Sequence, residues 1–292
     1  NNLGATVLSE IYGDLWQTFQ GGFVTLEADK DGFVSVSEVG FDPNTAVLRN
    51  TDYQVALAKK INAKGMMIYT EQSGFGQIFE TIVGGFITGV NETDSTILPA
   101  SWKDDYFAVW AKNLGVNEDD LHGMMASPFA FAVSDVGQLY PATVMVFDLD
   151  KQYTDGAGKL VLAIDGWLDK VIKSFDELAK AQGVGAGALK KEVKLIGGAG
   201  MHKLYVDLSV ISDDILGAAA FVPGLSVKDM KVEFYYGLTA DGKFVLALYP
   251  DFADAYGKNV LADDEGYKNA IAAIGGENGF AVSYLNPPNA VD

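Results

Sequence analysis

An acidic segment near the start of the chain has the residue types and spacing of a calcium-binding loop. Oxygen-bearing side chains fall at the first, third, fifth, ninth and twelfth positions, which are Glu27, Asp29, Asp31, Ser35 and Glu38. Gly32 occupies the sixth position, where such a loop bends sharply. Calcium prefers several hard oxygen ligands of this kind. The segment therefore predicts a calcium site as one of two interpretations.

The other interpretation of this segment is a plain β-hairpin. Residues 23–28 and 33–41 alternate in polarity on either side of an Asp-Gly turn, which predicts two paired strands. Successive side chains of a strand point to opposite faces, so Glu38 would have to swing round to ligate the ion. Glu27 stands where calcium loops usually carry Asp, and Pro43 prevents the helix that normally follows. The hairpin without metal is the favoured reading, and no other cofactor is predicted.

Three further patterns resemble functional motifs without predicting chemistry. Residues 183–188 match a loose dinucleotide fingerprint, but they follow a predicted helix where the motif requires a preceding strand. His122 and His202 are the only histidines, and neither has a second histidine at ligand spacing. Paired acids at helix starts are explained by capping and the helix dipole; these pairs are Asp104-Asp105, Asp119-Asp120, Asp213-Asp214 and Asp263-Asp264. No catalytic residue is predicted.

Composition excludes several classes of partner. The net charge is −18 and Arg49 is the only arginine, so neither nucleic acid nor an anionic membrane surface is an expected partner. The chain has no cysteine, which excludes disulfides, thiolate metal sites and cysteine nucleophiles. Apolar residues make up 49% of the 292, enough for a sizeable core. No apolar run is long enough to predict a transmembrane segment.

Hairpins with helices inserted between them predict an α+β fold with antiparallel sheets. Helices are predicted at Val7–Gln20, Trp102–Leu114, residues 117–125, 167–183 and 212–220, with a short one from Asp52 to Lys60. Strands are predicted at 65–70, 128–134, 142–149, 158–164, 191–197 and 201–208. Four Asp-Gly pairs support turns, at residues 31–32, 155–156, 165–166 and 241–242.

The start and the end of the chain repeat each other. Residues 1–71 resemble 210–285, because each contains a hairpin with an Asp-Gly turn, then a short helix pattern, then a strand ending in tyrosine. The same order of elements predicts an internal duplication. We therefore predict a partial repeat unit over 1–97 and a second α+β unit over 98–292, which ends in a copy of the first. The first residues, Asn1-Asn2, predict a mature or trimmed product.

Three segments resemble a bacterial family of exported proteins, domain-of-unknown-function family 3352. They are a helix before Ile97-Leu98-Pro99, a Leu-Gly followed by an acidic helix over 113–121, and the hairpin–helix–strand pattern over Leu261–Tyr284. The resemblance covers most of the chain. It implies an extracytoplasmic location, secreted or at the cell surface, and a signal-bearing or lipid-anchored precursor. It carries no catalytic residue, and the chain departs from the family in being unusually acidic and in lacking the anchor segment.

These observations predict a non-enzymatic extracytoplasmic scaffold or interaction protein with a protein partner or a surface assembly. One alternative is a carrier for an apolar ligand such as lipid, since curved sheets covered by helices enclose cavities. A predicted helix from Phe75 to Val90, loosened by glycines, could line such a cavity together with adaptable methionines; these are Met66, Met67, Met124 and Met125. The other alternative is a calcium-binding surface module built on the acidic hairpin.

Overall fold

A computed structural model describes most of the chain as two compact units. The described residues are 19–29, 32–41, 56–72, 87, 89–90, 106–138, 140–182, 186–211, 230–273 and 281–286. Unit 1 comprises residues 1–55, 72–128 and 265–282, and unit 2 comprises 56–71, 129–264 and 283–292. The chain thus passes repeatedly between the units. The predicted boundary between residues 97 and 98 stays a prediction, because 91–105 lie outside the described residues.

The described elements are groups of strands with one or two helices between the groups. In chain order they are β1 (Phe19–Asp29), β2 (Gly32–Phe41), β3 (Met66–Gln72), α1 (Tyr106–Leu114), α2 (Glu118–Met125), β4 (Phe129–Ser134), β5 (Ala142–Asp148), α3 (Thr154–Gln182), β6 (Leu189–Ile196), β7 (Ala199–Val206), β8 (Glu233–Leu238), β9 (Lys243–Leu248), α4 (Phe252–Ala255), α5 (Glu265–Ala273) and β10 (Ala281–Leu285). Short 3₁₀ turns lie at Leu57–Lys59, Lys151–Tyr153, Leu208–Val210 and Leu261–Asp263. None of these helices is long and apolar enough to cross a membrane.

In unit 1, strands β1 and β2 pair antiparallel, as the alternation predicted. The predicted helix from Val7 to Gln20 is wrong at its end, because Phe19 and Gln20 belong to β1. Strand pairing with β2 outweighs the helical spacing there. The predicted cap of α2 is confirmed: the side chain of Asn117 accepts a hydrogen bond from the Asp119 amide at 3.0 Å.

Unit 2 is built on an eight-stranded sheet in the order β10-β3-β4-β5-β9-β8-β7-β6. The pairs β4–β5, β5–β9, β9–β8, β8–β7 and β7–β6 are antiparallel. The pairs β3–β4 and β10–β3 are antiparallel as well, because the end of one strand meets the start of the other. The Asp135 amide, after β4, donates to the Gly65 carbonyl before β3, and the Asn286 amide, after β10, donates to the carbonyl of Met67 near the start of β3. The predicted α+β class with antiparallel hairpins is therefore confirmed.

The two faces of the central strands β4, β5 and β9 differ in side-chain size. Small residues on one face are buried, namely Ala130, Ala132, Ala142, Val144, Val146, Val245 and Ala247. On the other face, Phe129, Phe147 and Phe244 are buried, whereas Phe131, Met145 and Leu246 are half-buried. Cross-strand register puts Phe131 opposite Met145 and Met145 opposite Leu246, so these three side chains form a continuous row. Both faces of the central strands therefore contribute to the core.

Helix α3 corrects one strand prediction and two turn predictions. Residues 158–164 were expected to form a strand, but they lie within α3, as do Asp155-Gly156 and Asp165-Gly166. Buried residues recur along α3 at helical spacing, at Ala157, Val161, Leu168 and Ala179. A short apolar run is compatible with a strand and with a buried helix, so the sequence pattern alone does not distinguish them. Here the packing of this run against the sheet favours the helix. The amphipathic pattern predicted from Trp167 onward is the second half of this longer helix.

A buried carboxylate organises the segment before β3. Glu71 is fully buried and accepts hydrogen bonds from the amides of Ala56 and Leu57, at the start of the 3₁₀ turn. The hydroxyl of Tyr69 also donates to Glu71. Only this single turn over Leu57–Lys59 lies in the described part of the helix that was predicted from Asp52 to Lys60.

Gly65 should be intolerant of substitution. Its φ is +63°, and a Cβ there would stand 1.7 Å from the carbonyl oxygen of Asp135. We expect Gly65→Ala to lower the free energy of unfolding by about 3 kcal/mol, from left-handed strain plus the clash. Urea denaturation followed by circular dichroism measures this loss.

Gly257 is the matched control for that substitution. Its φ is +68°, but a Cβ would meet nothing within 4 Å. Gly257→Ala should therefore show the backbone strain alone, about 1–2 kcal/mol. Equal losses for the two variants would contradict the close contact at Gly65.

Candidate functional site

A cluster of charged and aromatic side chains lies where α3 crosses three strands of unit 2. We call it the Asp165 cluster; its members are Asp165, Asp169, Lys191, His202 and Tyr236. One carboxylate oxygen of Asp165 lies 2.8 Å from Nζ of Lys191, 2.8 Å from Nδ1 of His202 and 2.7 Å from the hydroxyl of Tyr236. Lys191 also contacts Asp169, one helical turn further, at 2.6 Å.

The electrostatics of this cluster favour the charged carboxylate. Burial raises the pKa of Asp165, but hydrogen bonds from Lys191 and Tyr236 outweigh it, and the pKa lies below its ordinary value. Burial likewise opposes the charge of Lys191, yet its two carboxylate partners raise its pKa. Burial, together with the hydrogen bond to Asp165, raises the pKa of Tyr236. The cluster is thus an ion pair plus a neutral phenol donor.

The geometry also indicates which ring nitrogen of His202 carries a proton. An ionised carboxylate can only accept, so Nδ1 of His202 carries the proton that faces Asp165. The imidazole stacks on the ring of Tyr236, with centroids 5.1 Å apart. An Asp–His pair of this kind orients the other ring nitrogen as a base or a metal ligand.

Within the described residues, the surroundings of this pair add neither a nucleophile nor a group of metal ligands. No described hydroxyl is hydrogen-bonded to Nε2 of His202, and no group of three or more His, Asp or Glu that could hold a metal ion is found there. By joining Asp165 of α3 to Lys191, His202 and Tyr236, the Asp165 cluster positions α3 on β6, β7 and β8.

A second buried carboxylate lies in the same unit, on β8. Glu233 contacts Nζ of Lys203 at 2.7 Å, and it accepts hydrogen bonds from the Tyr235 hydroxyl and the Asp251 amide, both at 2.8 Å. Asp251 has a left-handed φ of +55°, and Glu233 stabilises it there. Burial, with the hydrogen bond to Glu233, raises the pKa of Tyr235. Glu233 thus repeats the arrangement of Glu71. In both cases the carboxylate accepts hydrogen bonds from the hydroxyl of a tyrosine two residues away and from a backbone amide at the start of a short helix.

Three cavities of unit 2 are lined by mixed polar and apolar residues. One of about 490 Å³ lies at the β8–β9 turn, between Leu149, Leu238, Lys151 and Asp241. The others measure about 320 and 380 Å³, and Lys231 lines both of them. The Asp165 cluster lines none of the three.

Large apolar side chains are exposed on α3 and β6. Of nine such residues in the described part of the chain, six lie on these two elements. They are Leu162, Trp167, Phe175 and Leu178 on α3 and Val193 and Leu195 on β6. Trp167, Phe175 and Leu178 lie along one side of α3, which is not the side on which Asp165 and Asp169 contact Lys191 of β6. We call these three residues the α3 apolar stripe. Trp167 is 61% exposed and Leu195 is 79% exposed. Concentrated exposure of this kind is typical of interaction sites.

Four of the five residues predicted to bind calcium lie on the two strands of the β1–β2 hairpin. Glu27 and Asp29 belong to β1, Ser35 and Glu38 belong to β2, and Asp31 lies outside the described residues. The backbone of Glu27 pairs with Val34, whereas Glu38 pairs with Phe23. The hairpin interpretation is confirmed at the level of the backbone. Calcium binding stays a prediction.

Two other sequence patterns also have a place in the structure. Gly187 belongs to the connection between α3 and β6, as expected of a helix–strand link, while Gly183 and Gly185 lie outside the described residues. His122 stacks on Phe107 in unit 1, with centroids 4.3 Å apart.

Sequence reasoning missed the Asp165 cluster. The expected strand over 158–164 assigned Asp165 to a hairpin turn, where its carboxylate would face solvent. The available signal was the helical spacing of apolar residues through this region, which places Asp165 and Asp169 one turn apart on one side of α3. The partners on β6, β7 and β8 are distant in sequence, so no local pattern could identify them.

Comparison of the chain with protein-family models, with curated proteins and with solved structures gives no match. No residue role can therefore be transferred from a relative. The functional argument rests on the geometry of the described residues and on their exposure, charge and contacts.

Asp165 should contribute far more to stability than its neighbour Asp169. Asp165→Asn weakens the contacts to three half-buried or buried partners, and we expect a loss of about 2–3 kcal/mol in the free energy of unfolding. Asp169 is 62% exposed and also contacts Lys191, so Asp169→Asn is the control, with a loss below about 1 kcal/mol. Urea denaturation at neutral pH measures both.

The contribution of Asp165 should also depend on pH. Because its folded-state pKa is depressed, the stabilisation is complete above the unfolded pKa of about 4 and is lost as the pH falls through the lower folded value. The gap in stability between the wild type and Asp165→Asn should therefore shrink as the pH falls below about 4. A gap that stays unchanged down to about pH 2 would contradict the ionised carboxylate.

Proposed function

We propose that this protein is a non-enzymatic interaction protein that acts outside the cytoplasm and binds a protein partner through the α3 apolar stripe. The observation that carries the proposal is the exposure of Trp167, Phe175 and Leu178 along one side of this helix. Leaving such side chains in water forgoes roughly 1.5–3 kcal/mol each relative to burial. Association with a partner would recover part of that free energy.

The spacing along α3 supports a binding stripe. Trp167, Val171, Phe175 and Leu178 follow one another at intervals of three or four residues, so they lie along one side of the helix. Trp167, Phe175 and Leu178 are exposed and Val171 is half-buried. Aromatic residues in such stripes are frequent anchors of protein interfaces.

The extracytoplasmic location and the internal duplication are part of the same proposal. Resemblance to domain-of-unknown-function family 3352 supports an extracytoplasmic protein made from a signal-bearing or lipid-anchored precursor. The proposed duplication of 1–71 and 210–285 is supported by a common order of elements. The hairpin β1–β2, the turn Leu57–Lys59 and β3 follow one another in the same order as the hairpin β8–β9, the helix α5 and β10.

The two alternative functions stay predictions. A carrier for an apolar ligand needs a largely apolar cavity. The cavities described above each include charged residues, among them Lys151, Asp207 and Asp254, so they do not favour it. The calcium-binding module depends on Asp31, which lies outside the described residues.

Site-specific photo-crosslinking in cells that produce the full-length protein tests the proposal. A photoreactive phenylalanine analogue at position 167 should form a discrete adduct with another extracytoplasmic protein, because an exposed anchor lies within reach of the bound partner. Mass spectrometry of the adduct identifies the partner and its compartment.

Glu177 is the control position, since it is exposed and lies on a different side of α3 from Trp167. The analogue at position 177 should give no adduct with that partner. Equal adducts at both positions, or none at position 167, would refute a specific interface on this side of the helix. A cytoplasmic partner would refute the proposed location.

A further inference from the structure

Strand β6 forms one edge of the eight-stranded sheet. It pairs with β7 on one side, and no described residue pairs with its other side. It is eight residues long, and Val193 and Leu195 are 62% and 79% exposed. A long edge with unpaired amides and carbonyls is a template for another strand, and natural proteins usually obstruct it.

The lysines of β6 do not provide that obstruction. Lysines on an edge normally repel an incoming strand. Here Lys190 is bound to Asp207, and Lys191 to Asp165 and Asp169. Lys194 contacts Glu192 on the same strand at 3.2 Å. The charges are therefore compensated within unit 2, and Lys194 and Glu192, 45% and 34% exposed, remain accessible.

We propose that two copies of this chain associate edge to edge through β6, antiparallel, with Val193 on the two-fold axis. The inference goes beyond the proposed function, because it concerns the strand edge and names a second copy as the partner. Two-fold dimers are the commonest assemblies, and their interfaces use one patch that is complementary to itself.

The order of charges along β6 selects this register. The backbone N–H and C=O groups of successive residues point to opposite edges of a strand. When two copies of the same strand pair antiparallel, an odd-numbered residue therefore lies opposite an odd-numbered one, and an even-numbered residue opposite an even-numbered one. With Val193 on the axis, Glu192 lies opposite Lys194 of the second copy, and Lys191 lies opposite Leu195. Centring the pair on Lys191, Glu192 or Lys194 would instead place that charge opposite its own copy, which is destabilising.

The side chains on the α3 side of the edge fit the same register. Val193 of each copy would meet its own counterpart, a favourable β-branched pair. Leu195 would cover the aliphatic part of Lys191, whose ammonium group is held by Asp165 and Asp169. The Asp165 cluster thus orients Lys191 away from the second copy's charges.

Sedimentation velocity over a range of concentrations tests the association. The wild type should form a dimer. Val193→Lys should raise the dissociation constant about tenfold or more, because like charges then meet on the axis. Leu285→Lys is the control: Leu285 is 58% exposed and lies on β10, at the opposite edge of the sheet. Its dimer should be unchanged, and thermal melting confirms that both variants fold.

Single cysteines test the register, since the chain has none of its own. Val193→Cys should form a disulfide-linked dimer under mild oxidation, because paired residues on the axis lie within disulfide range. Leu195→Cys is the more exposed, but its counterpart would be roughly 13 Å away along the strand. We expect oxidation of Val193→Cys to be roughly tenfold faster or more.

Three results would overturn the proposal: a wild type that stays monomeric, a dimer that persists in Val193→Lys, or equal oxidation rates for the two cysteine variants. The first would leave the proposed function intact if position 167 still gave an adduct with a different protein. Conversely, a β6 dimer without any adduct at position 167 would support the self-association alone.

Discussion

The carboxylate of Asp165 joins the long helix α3 to three adjacent strands, and much of unit 2 depends on that contact. Lys191, His202 and Tyr236 come from β6, β7 and β8, and all three bind the same oxygen atom. Apolar packing under α3 is modest in area, since its buried residues include two alanines. A directional, charge-assisted contact therefore defines the position of the helix more closely than packing alone can.

The same principle recurs on β3 and on β8. Glu71 on β3 and Glu233 on β8 are buried carboxylates that bind a tyrosine and the backbone before a short helix. Each satisfies amides that the helix start leaves without partners. In a chain with a net charge of −18, these acids are not part of a diffuse acidic surface. They are structural, because a buried carboxylate must be paired or hydrogen-bonded.

Charge compensation also determines the character of the sheet edge at which we propose self-association. Around β6 each lysine has an acidic neighbour, so the edge carries little net charge despite its three lysines. The exposed side chains of Val193 and Leu195 therefore lie beside compensated charges. Lys191 takes part both in positioning α3 on the sheet and in this edge, so its structural role and its proposed interaction role coincide.

The sequence by itself determined the class of the fold and the local elements. Alternation predicted the paired strands of the β1–β2 and β8–β9 hairpins, and Asn117 predicted the cap of α2. Of the four Asp-Gly pairs taken as turns, residues 241–242 do join β8 to β9, whereas residues 155–156 and 165–166 lie within α3. The hairpins and the cap depend on neighbours in sequence, and local propensity carries them. Tertiary structure alone decided that residues 158–164 are helical, because their apolar run fits either element until it packs. It also decided which residues meet at Asp165, since Lys191, His202 and Tyr236 lie 26 to 71 residues away. Contacts at such separation are set by strand order and register, which no local pattern contains.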